Sequence, residues 1–97
     1  MKEISMNRLH ILKVDYFGLT LFIPMDYLYG YICVDSLGWL CAYSNKPDND
    51  DTSWNIGSSG GGYSAVLGKV DLEGMDWKET CVCVQSLNQS ILKVGNK

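Results

Sequence analysis

The sequence predicts a mainly β protein, formed as a small antiparallel sheet or a barrel-like sandwich of about six strands with at most one short helix. Short runs rich in aromatic and β-branched residues recur along the chain, and turns that contain glycine separate them at regular spacing. A length of 97 residues fits one domain, residues 1–97, and the sequence contains no internal repeat or domain boundary.

A first β-hairpin is predicted near the N-terminus. Residues 8–15 and 19–23 are its strands, Gly18 lies at the turn, and Pro24 ends the second strand because proline cannot donate to a central ladder. Whether residues 1–15 form a strand or begin as a helix stays open, since apolar and polar positions mix there.

The second hairpin is the clearest prediction. Residues 29–35 and 39–44 are aromatic and apolar runs, and the turn between them begins with Asp35 and ends with Gly38. Gly38 can take a positive φ and close a three-residue loop with a bulge. This register places Cys33 opposite Cys41 and Tyr31 opposite Tyr43. One face then carries Tyr29, Tyr31, Cys33, Trp39, Cys41 and Tyr43, and the other carries Ile32, Val34, Leu40 and Ala42.

A fifth strand is predicted over residues 63–70, with Val66 and Val70 on one face and Tyr63, Ala65 and Leu67 on the other. Residues 71–74 turn the chain. Asp76 is expected to cap a short helical turn, with Glu79 at the capping-box position. Residues 81–87 are predicted as a sixth strand, and residues 91–94 could add a seventh.

Composition and charge limit the class of protein. The chain contains eight Lys and Arg residues and 11 Asp and Glu residues, which gives a net charge of -3. This charge argues against non-specific nucleic-acid binding. Apolar runs are too short for a membrane span, and Lys2, Glu3 and Arg8 interrupt the N-terminal segment, which does not resemble a signal peptide. A cytoplasmic protein that does not bind membranes is therefore expected.

The sequence carries no catalytic or metal-site signature, so we expect a protein that is not an enzyme and needs no cofactor. The four cysteines are expected to be reduced thiols; a zinc site is the alternative, but C-x7-C and C-x-C are not the usual ligand spacings. His10 has no nucleophile nearby in sequence. Of the carboxylate pairs, Asp50 and Asp51 fit a solvated loop, and Asp71 and Asp76 fit turns that accept backbone hydrogen bonds.

A binding site is predicted around the long polar segment 45–62 and the aromatic face of the second hairpin. Aromatic rings could stack on a ligand, lysines could meet phosphate, and the Gly/Ser run could offer backbone N–H groups to an anion. The alternatives are a core or interface role for the rings and a simple connector for the run. Trp54 either faces a partner or folds back over one end of the sheet. The candidate residues are Tyr31, Trp39, Tyr43, Lys46, Trp54, Ser58, Ser59, Gly60, Gly61 and Lys69.

Two segments are similar to sequences of small accessory proteins of tailed bacteriophages. They are residues 34–54, with Val-Asp-Ser-Leu-Gly, Ala-Tyr-Ser-Asn-Lys-Pro and then Trp54, and residues 68–80, Gly-Lys-Val-Asp-Leu-Glu-Gly-Met-Asp-Trp-Lys-Glu-Thr. Ile23-Pro24 fits the same pattern, so the resemblance spans about residues 23–84. It implies a protein that acts in the cytoplasm of an infected host, and it transfers no catalytic residue.

These observations lead to two main hypotheses of function. The first is a non-enzymatic binding protein that blocks a host defence protein, as a counter-defence inhibitor. The second is an oligomeric sponge that sequesters a nucleotide immune signal. A virion or assembly accessory is the third alternative. The expected partners are thus a host protein or a small nucleotide, and a homo-oligomer stays open.

Overall fold

Nine strands form three antiparallel sheets in the described parts of the chain, residues 10–56 and 62–93 of a computed structural model. The mainly β prediction is confirmed, and six of these strands have four or more residues. The strands are β1 (His10–Tyr16), β2 (Leu19–Pro24), β3 (Tyr31–Val34), β4 (Trp39–Tyr43), β5 (Asp48–Asn49), β6 (Trp54–Asn55), β7 (Ser64–Lys69), β8 (Val82–Cys83) and β9 (Gln89–Lys93).

The two larger sheets have the orders β2-β1-β9 and β7-β4-β3-β8, and β5 pairs with β6 in a small separate hairpin. Three single-turn 3-10 helices, rather than at most one short helix, connect the strands at Met25–Tyr27, Trp77–Glu79 and Val84–Ser86. None of the helices in the described residues is long and apolar enough to cross a membrane.

The predicted first hairpin is confirmed, with β1 as a strand from His10 onward. Phe17 and Gly18 form its two-residue turn with φ values of 45° and 81°. Two consecutive positive φ angles suit the right-handed twist of the strands, and glycine at the second position adopts them without steric cost. Residues 1–9 lie outside the described residues. On its other edge β1 pairs with β9, so the predicted seventh strand is present, although Val94 also lies outside the described residues.

The second hairpin has the predicted register, Tyr31 opposite Tyr43 and Cys33 opposite Cys41. The Asp35 carboxylate accepts hydrogen bonds from the backbone N–H of Leu37 at 2.9 Å and of Trp39 at 3.0 Å, which closes the turn. Gly38 has a φ of 92°, and a Cβ there would lie 2.5 Å from the Val70 carbonyl oxygen. Both the backbone conformation and this close approach therefore require glycine.

Two strand predictions in the second half of the chain need correction. The predicted pairing of Val66 with Val70 on one face is wrong: the register between β4 and β7 shifts between Leu40 and Cys41, so Val66 points outward while Val70 packs against the core with Ala65 and Leu67. The predicted strand over residues 81–87 is also too long. β8 contains only Val82 and Cys83, because the chain then forms a 3-10 turn that buries Val84 in the core.

Both larger sheets contribute to one hydrophobic core. Its buried members are Leu12, Val14, Tyr16, Ile23, Tyr27, Ile32, Val34, Leu40, Ala42 and Val84. Thr80 is the buried polar residue of the described chain and joins the two sheets. Its carbonyl oxygen accepts a hydrogen bond from the Tyr16 hydroxyl at 2.6 Å, and its hydroxyl accepts one from the Val34 N–H at 2.9 Å.

Candidate functional site

An open cleft of about 650 Å³ lies on the outer face of the four-stranded sheet, beside the β5–β6 hairpin. It brings together three predicted site residues, Tyr31, Lys46 and Trp54, with Lys78 and Cys81 from the C-terminal part of the chain. Pro47, Asp48 and Asn49 complete its lining. The cleft therefore combines two aromatic rings, two lysines and a thiol.

The β5–β6 hairpin forms one wall of the cleft and is attached to the sheet by hydrogen bonds at Trp54 and at its tip. The Trp54 indole Nε1 donates to the Val34 carbonyl oxygen at 2.9 Å, and the Tyr43 hydroxyl donates to the Trp54 carbonyl oxygen at 3.1 Å. At the hairpin's tip, the Ser36 hydroxyl donates to the Thr52 carbonyl oxygen at 2.6 Å. The predicted polar segment 45–62 thus contains an ordered hairpin over residues 48–55.

These contacts place Trp54 in the second of its two predicted roles, folded back over the sheet. Its side chain is half-buried, and its ring meets the ring of Trp77 edge to face, with centroids 5.7 Å apart at 85°. Trp77, in the turn that Asp76 caps, is itself half-buried, and this contact joins that turn to the β5–β6 hairpin. The Asp76 carboxylate accepts from the Lys78 N–H at 3.0 Å, which confirms the predicted cap. Part of Trp54 nevertheless remains on the cleft wall.

The turn between β5 and β6 depends on the exposed carboxylate of Asp50. This group accepts hydrogen bonds from the backbone N–H groups of Thr52 and Ser53, each at 2.9 Å, and from the Asn55 side-chain amide at 3.1 Å. Hydrogen bonds to a carboxylate favour its charged form. These bonds therefore hold the pKa of Asp50 well below its usual range; the largest contribution comes from the Thr52 N–H, followed by the Asn55 amide and the Ser53 N–H. Asp50 is therefore an organiser of the cleft wall. Asp71 likewise accepts from the Glu73 N–H at 2.9 Å, as predicted.

The cleft has a positive character that the chain as a whole lacks. Lys46 and Lys78 both line it and are exposed, whereas Asp48 is the acidic residue of its lining. Lys78 also lies against its chain neighbour Trp77, which is outside the cleft lining, with its Nζ atom 5.6 Å from the centroid of that ring. This contact with the ring attracts the ammonium group without neutralising its charge.

The other predicted site residues lie away from the cleft or outside the described residues. Tyr43 is buried beneath the β5–β6 hairpin, and burial raises the pKa of its hydroxyl to about 12. Trp39 and Lys69 face each other across β4 and β7, with the Lys69 Nζ 5.0 Å from the Trp39 ring centroid. Lys69 also lines a second cavity of about 460 Å³ between the hairpin turn at Phe17 and the turn at residues 71–74. Ser58, Ser59, Gly60 and Gly61 lie outside the described residues.

Sequence reasoning missed Lys78 and Cys81 as cleft residues. Both come more than 30 positions after Lys46 in the sequence, and only the pairing of β3 with β8 brings that segment beside the second hairpin. The signal that could have found Cys81 is its periodicity with Cys83, since alternate residues of a strand share a face. His10 is exposed on β1, far along the chain from any cleft residue.

No group of three or more His, Cys, Asp or Glu side chains within residues 10–56 and 62–93 is placed to hold a metal ion. The four cysteines are free thiols in the structure. No protein-family model matches the chain, and neither a curated protein nor a solved structure matches it.

Proposed function

We propose that this chain is a non-enzymatic binding protein and that its cleft takes a small anionic ligand with a planar ring, of the nucleotide class. The observation that carries this proposal is the convergence of Lys46 and Lys78 with the rings of Tyr31 and Trp54 in one open cleft. The sequence ranks a protein partner first. The geometry of the cleft gives more support to the small ligand, because charge and aromatic surface meet within one concave site.

The two kinds of side chain would serve different parts of such a ligand. A hydrogen bond from a lysine to a phosphate oxygen contributes about 1.5–3 kcal/mol, because one partner or both are charged. Stacking of a base on an aromatic ring contributes about 1–3 kcal/mol. Trp54 cannot rotate freely because its Nε1 is held by Val34, so this wall is formed before the ligand arrives.

A host protein as the partner is the second candidate, and exposed apolar residues at the first hairpin favour it. Phe17 and Phe22 are 55% and 60% exposed, and Leu19 beside the turn is also exposed. Phenylalanine and other large aromatic residues are enriched in protein interfaces. The resemblance to phage accessory proteins supports either candidate, as a counter-defence inhibitor or as a sponge for a nucleotide signal in the host cytoplasm.

Native mass spectrometry of the protein purified from cells distinguishes the two candidates, since a retained nucleotide supports the first and a retained protein the second. Isothermal titration calorimetry with a panel of mono-, di- and cyclic nucleotides then tests the cleft. Lys46→Ala and Lys78→Ala should each weaken binding about tenfold or more, the loss expected for one charged hydrogen bond.

Lys69→Ala is the matched control, because Lys69 is an exposed lysine that lies against Trp39 and outside the cleft. It should change the dissociation constant by less than about twofold, as expected for a surface substitution away from the contact. An equal loss of affinity in the Lys69→Ala variant would assign the binding to general charge and not to the cleft. Absence of binding across the panel would contradict the small-ligand proposal.

A further inference from the structure

Three thiols lie in one row across the outer face of the four-stranded sheet. Cys41 is opposite Cys33 in the register of β3 with β4. On the other side of β3, Tyr31 pairs with Cys83 and Ile32 pairs with Val82. Continuing this antiparallel register by one residue sets Cys81 opposite Cys33. The register continues to the next pair, Val34 and Thr80, because the Val34 N–H donates to the Thr80 hydroxyl.

The register gives Cys33 and Cys81 the separation that a disulfide needs. Directly opposed residues of an antiparallel pair have Cα atoms about 4.5 or 5.5 Å apart, depending on the hydrogen-bonding pattern. A disulfide spans Cα separations of about 4.4–6.8 Å. The two side chains are also close enough in the reduced protein for each thiol to shift the pKa of the other.

The two thiols differ in their access to solvent. Cys33 is fully buried, whereas Cys81 is half-buried and lines the cleft with Lys46 and Lys78. A reagent in the cleft therefore reaches Cys81 first. Cys41, the third thiol of the row, is outside the cleft lining.

The pKa values of the thiols also favour Cys81 as the more reactive one. Interaction with the Cys33 thiol and, to a smaller extent, the nearby ammonium group of Lys46 lower the pKa of Cys81, although partial burial opposes them. Interaction with the Cys81 sulfur and burial raise the pKa of Cys33, and burial also raises the pKa of Cys41. The thiolate is the reactive form of cysteine, so Cys81 is the nucleophile of the row.

We propose that Cys81 is an oxidation site of this protein and that Cys33 is its disulfide partner, with hydrogen peroxide as the oxidant. In the first step the Cys81 sulfur attacks one peroxide oxygen, the O–O bond breaks, and Cys81 becomes a sulfenic acid while one water is released. In the second step the Cys33 sulfur attacks the Cys81 sulfur, the S–O bond breaks, and the leaving hydroxide takes up the Cys33 proton as a second water. Two thiols are oxidised and one peroxide is reduced.

The first test measures reactivity in the full chain with limiting iodoacetamide at neutral pH, followed by peptide mass mapping. Cys81 should be alkylated at least about tenfold faster than Cys41, because rates follow the thiolate fraction and exposure. Equal rates, or faster reaction at Cys41, would overturn the assignment of Cys81 as the reactive thiol.

The second test treats the full chain with one molar equivalent of hydrogen peroxide, the amount that the two steps consume, and measures the intact mass without reductant. The wild type, Cys41→Ala and Cys83→Ala should each lose two hydrogens as monomers, and Cys81→Ala should not. In Cys33→Ala, Cys81 should remain a sulfenic acid that dimedone labels, and circular dichroism checks that this variant is folded. If it is not folded, a disulfide that persists in both Cys41→Ala and Cys83→Ala still leaves Cys33 as the partner of Cys81. A disulfide that forms in Cys81→Ala, or one that links two chains, would overturn the proposal.

Discussion

The two faces of the four-stranded sheet come from the same strands but are covered in different ways. The inner face, with Ile32, Val34, Leu40 and Ala42, is at most 3% exposed and packs on residues of the other large sheet. The outer face alternates with it and carries Cys33, Cys41, Tyr43 and Trp39. The β5–β6 hairpin lies against Tyr43, whereas Trp39 is 41% exposed. One face is closed by a whole sheet, and the other by a cover of eight residues, 48–55.

This difference shows why the cleft lies on the outer face. A short cover cannot close the whole face, so its margin leaves an opening that Tyr31, Lys46 and Cys81 line. The cover is attached by individual hydrogen bonds, such as that from Trp54 Nε1 to the Val34 carbonyl oxygen, and not by a continuous apolar layer. Stability should therefore depend mainly on the inner face and binding on the outer face.

The largest expected effect is on the inner face, with Ile32→Ala. Ile32 is fully buried in the core, so its truncation should lower the free energy of unfolding by about 2–5 kcal/mol through lost burial and a cavity. Trp39→Ala, on the more exposed part of the outer face, is the contrasting variant and should cost only about 0.5–1 kcal/mol, the scale of its exposed contact with Lys69. Urea denaturation followed by circular dichroism measures both. Equal losses of unfolding free energy in the two variants would contradict the conclusion that the inner face contributes more to stability than the outer face.

The next effect tests the buried hydrogen bond between the Thr80 hydroxyl and β3, with Thr80→Val. The substitution keeps the shape of the side chain but leaves the buried N–H of Val34 without its acceptor, which should cost about 1–3 kcal/mol. Thr80→Ser keeps the hydroxyl and is the matched control. Chemical denaturation of the two variants should rank Thr80→Val as the less stable one, and the reverse order would show that the methyl group matters more than the hydrogen bond.

A smaller effect is expected from Trp54→Phe, which keeps an aromatic ring on the cover and removes the indole N–H. The lost hydrogen bond to the Val34 carbonyl oxygen should reduce stability by about 0.5–1.5 kcal/mol. Tyr43→Phe removes the other attachment, to the Trp54 carbonyl oxygen, and should cost a similar amount. Thermal melts of both variants measure the attachment of the cover. A Trp54→Phe variant as stable as the wild type would mean that this hydrogen bond does not hold it.

The parts of the fold that depend on neighbouring residues could be predicted from the sequence. Asp35 and Gly38 determine the turn of the second hairpin, and the turn determines the register that sets Cys33 opposite Cys41. The Asp76 cap and the β1–β2 turn at Gly18 are local in the same sense. Each of these features is specified by residues fewer than about ten positions apart, within which turn and cap rules apply.

The features that were mispredicted or missed depend on distant parts of the chain. The register shift in β7 reverses the outward and inward positions after Leu67, and no sequence signal marks it except Gly68. β8 ends early because the core takes Val84 from a 3-10 turn. Strand pairing brings Lys78 and Cys81 beside Lys46 in the cleft. Of the residues that line it, only Tyr31, Lys46 and Trp54 could therefore be predicted from the sequence.

The smallest expected effect concerns Asp50, which organises the cover from a fully exposed position. The pKa of Asp50 is lower in the folded protein than in the unfolded chain. Its charge therefore contributes stability at pH values above the pKa of the unfolded chain, and this contribution is lost as the pH falls towards the pKa of the folded protein. Asp50→Asn removes this titration. The wild type should therefore melt at a higher temperature than Asp50→Asn above about pH 5, and the gap should narrow below about pH 4, near the pKa of an unfolded aspartate. Asp51→Asn, at the neighbouring exposed position, is the control, and differential scanning calorimetry across this range measures all three proteins. A gap that stays constant with pH would show that the Asp50 oxygens hold the turn whether or not the side chain is charged.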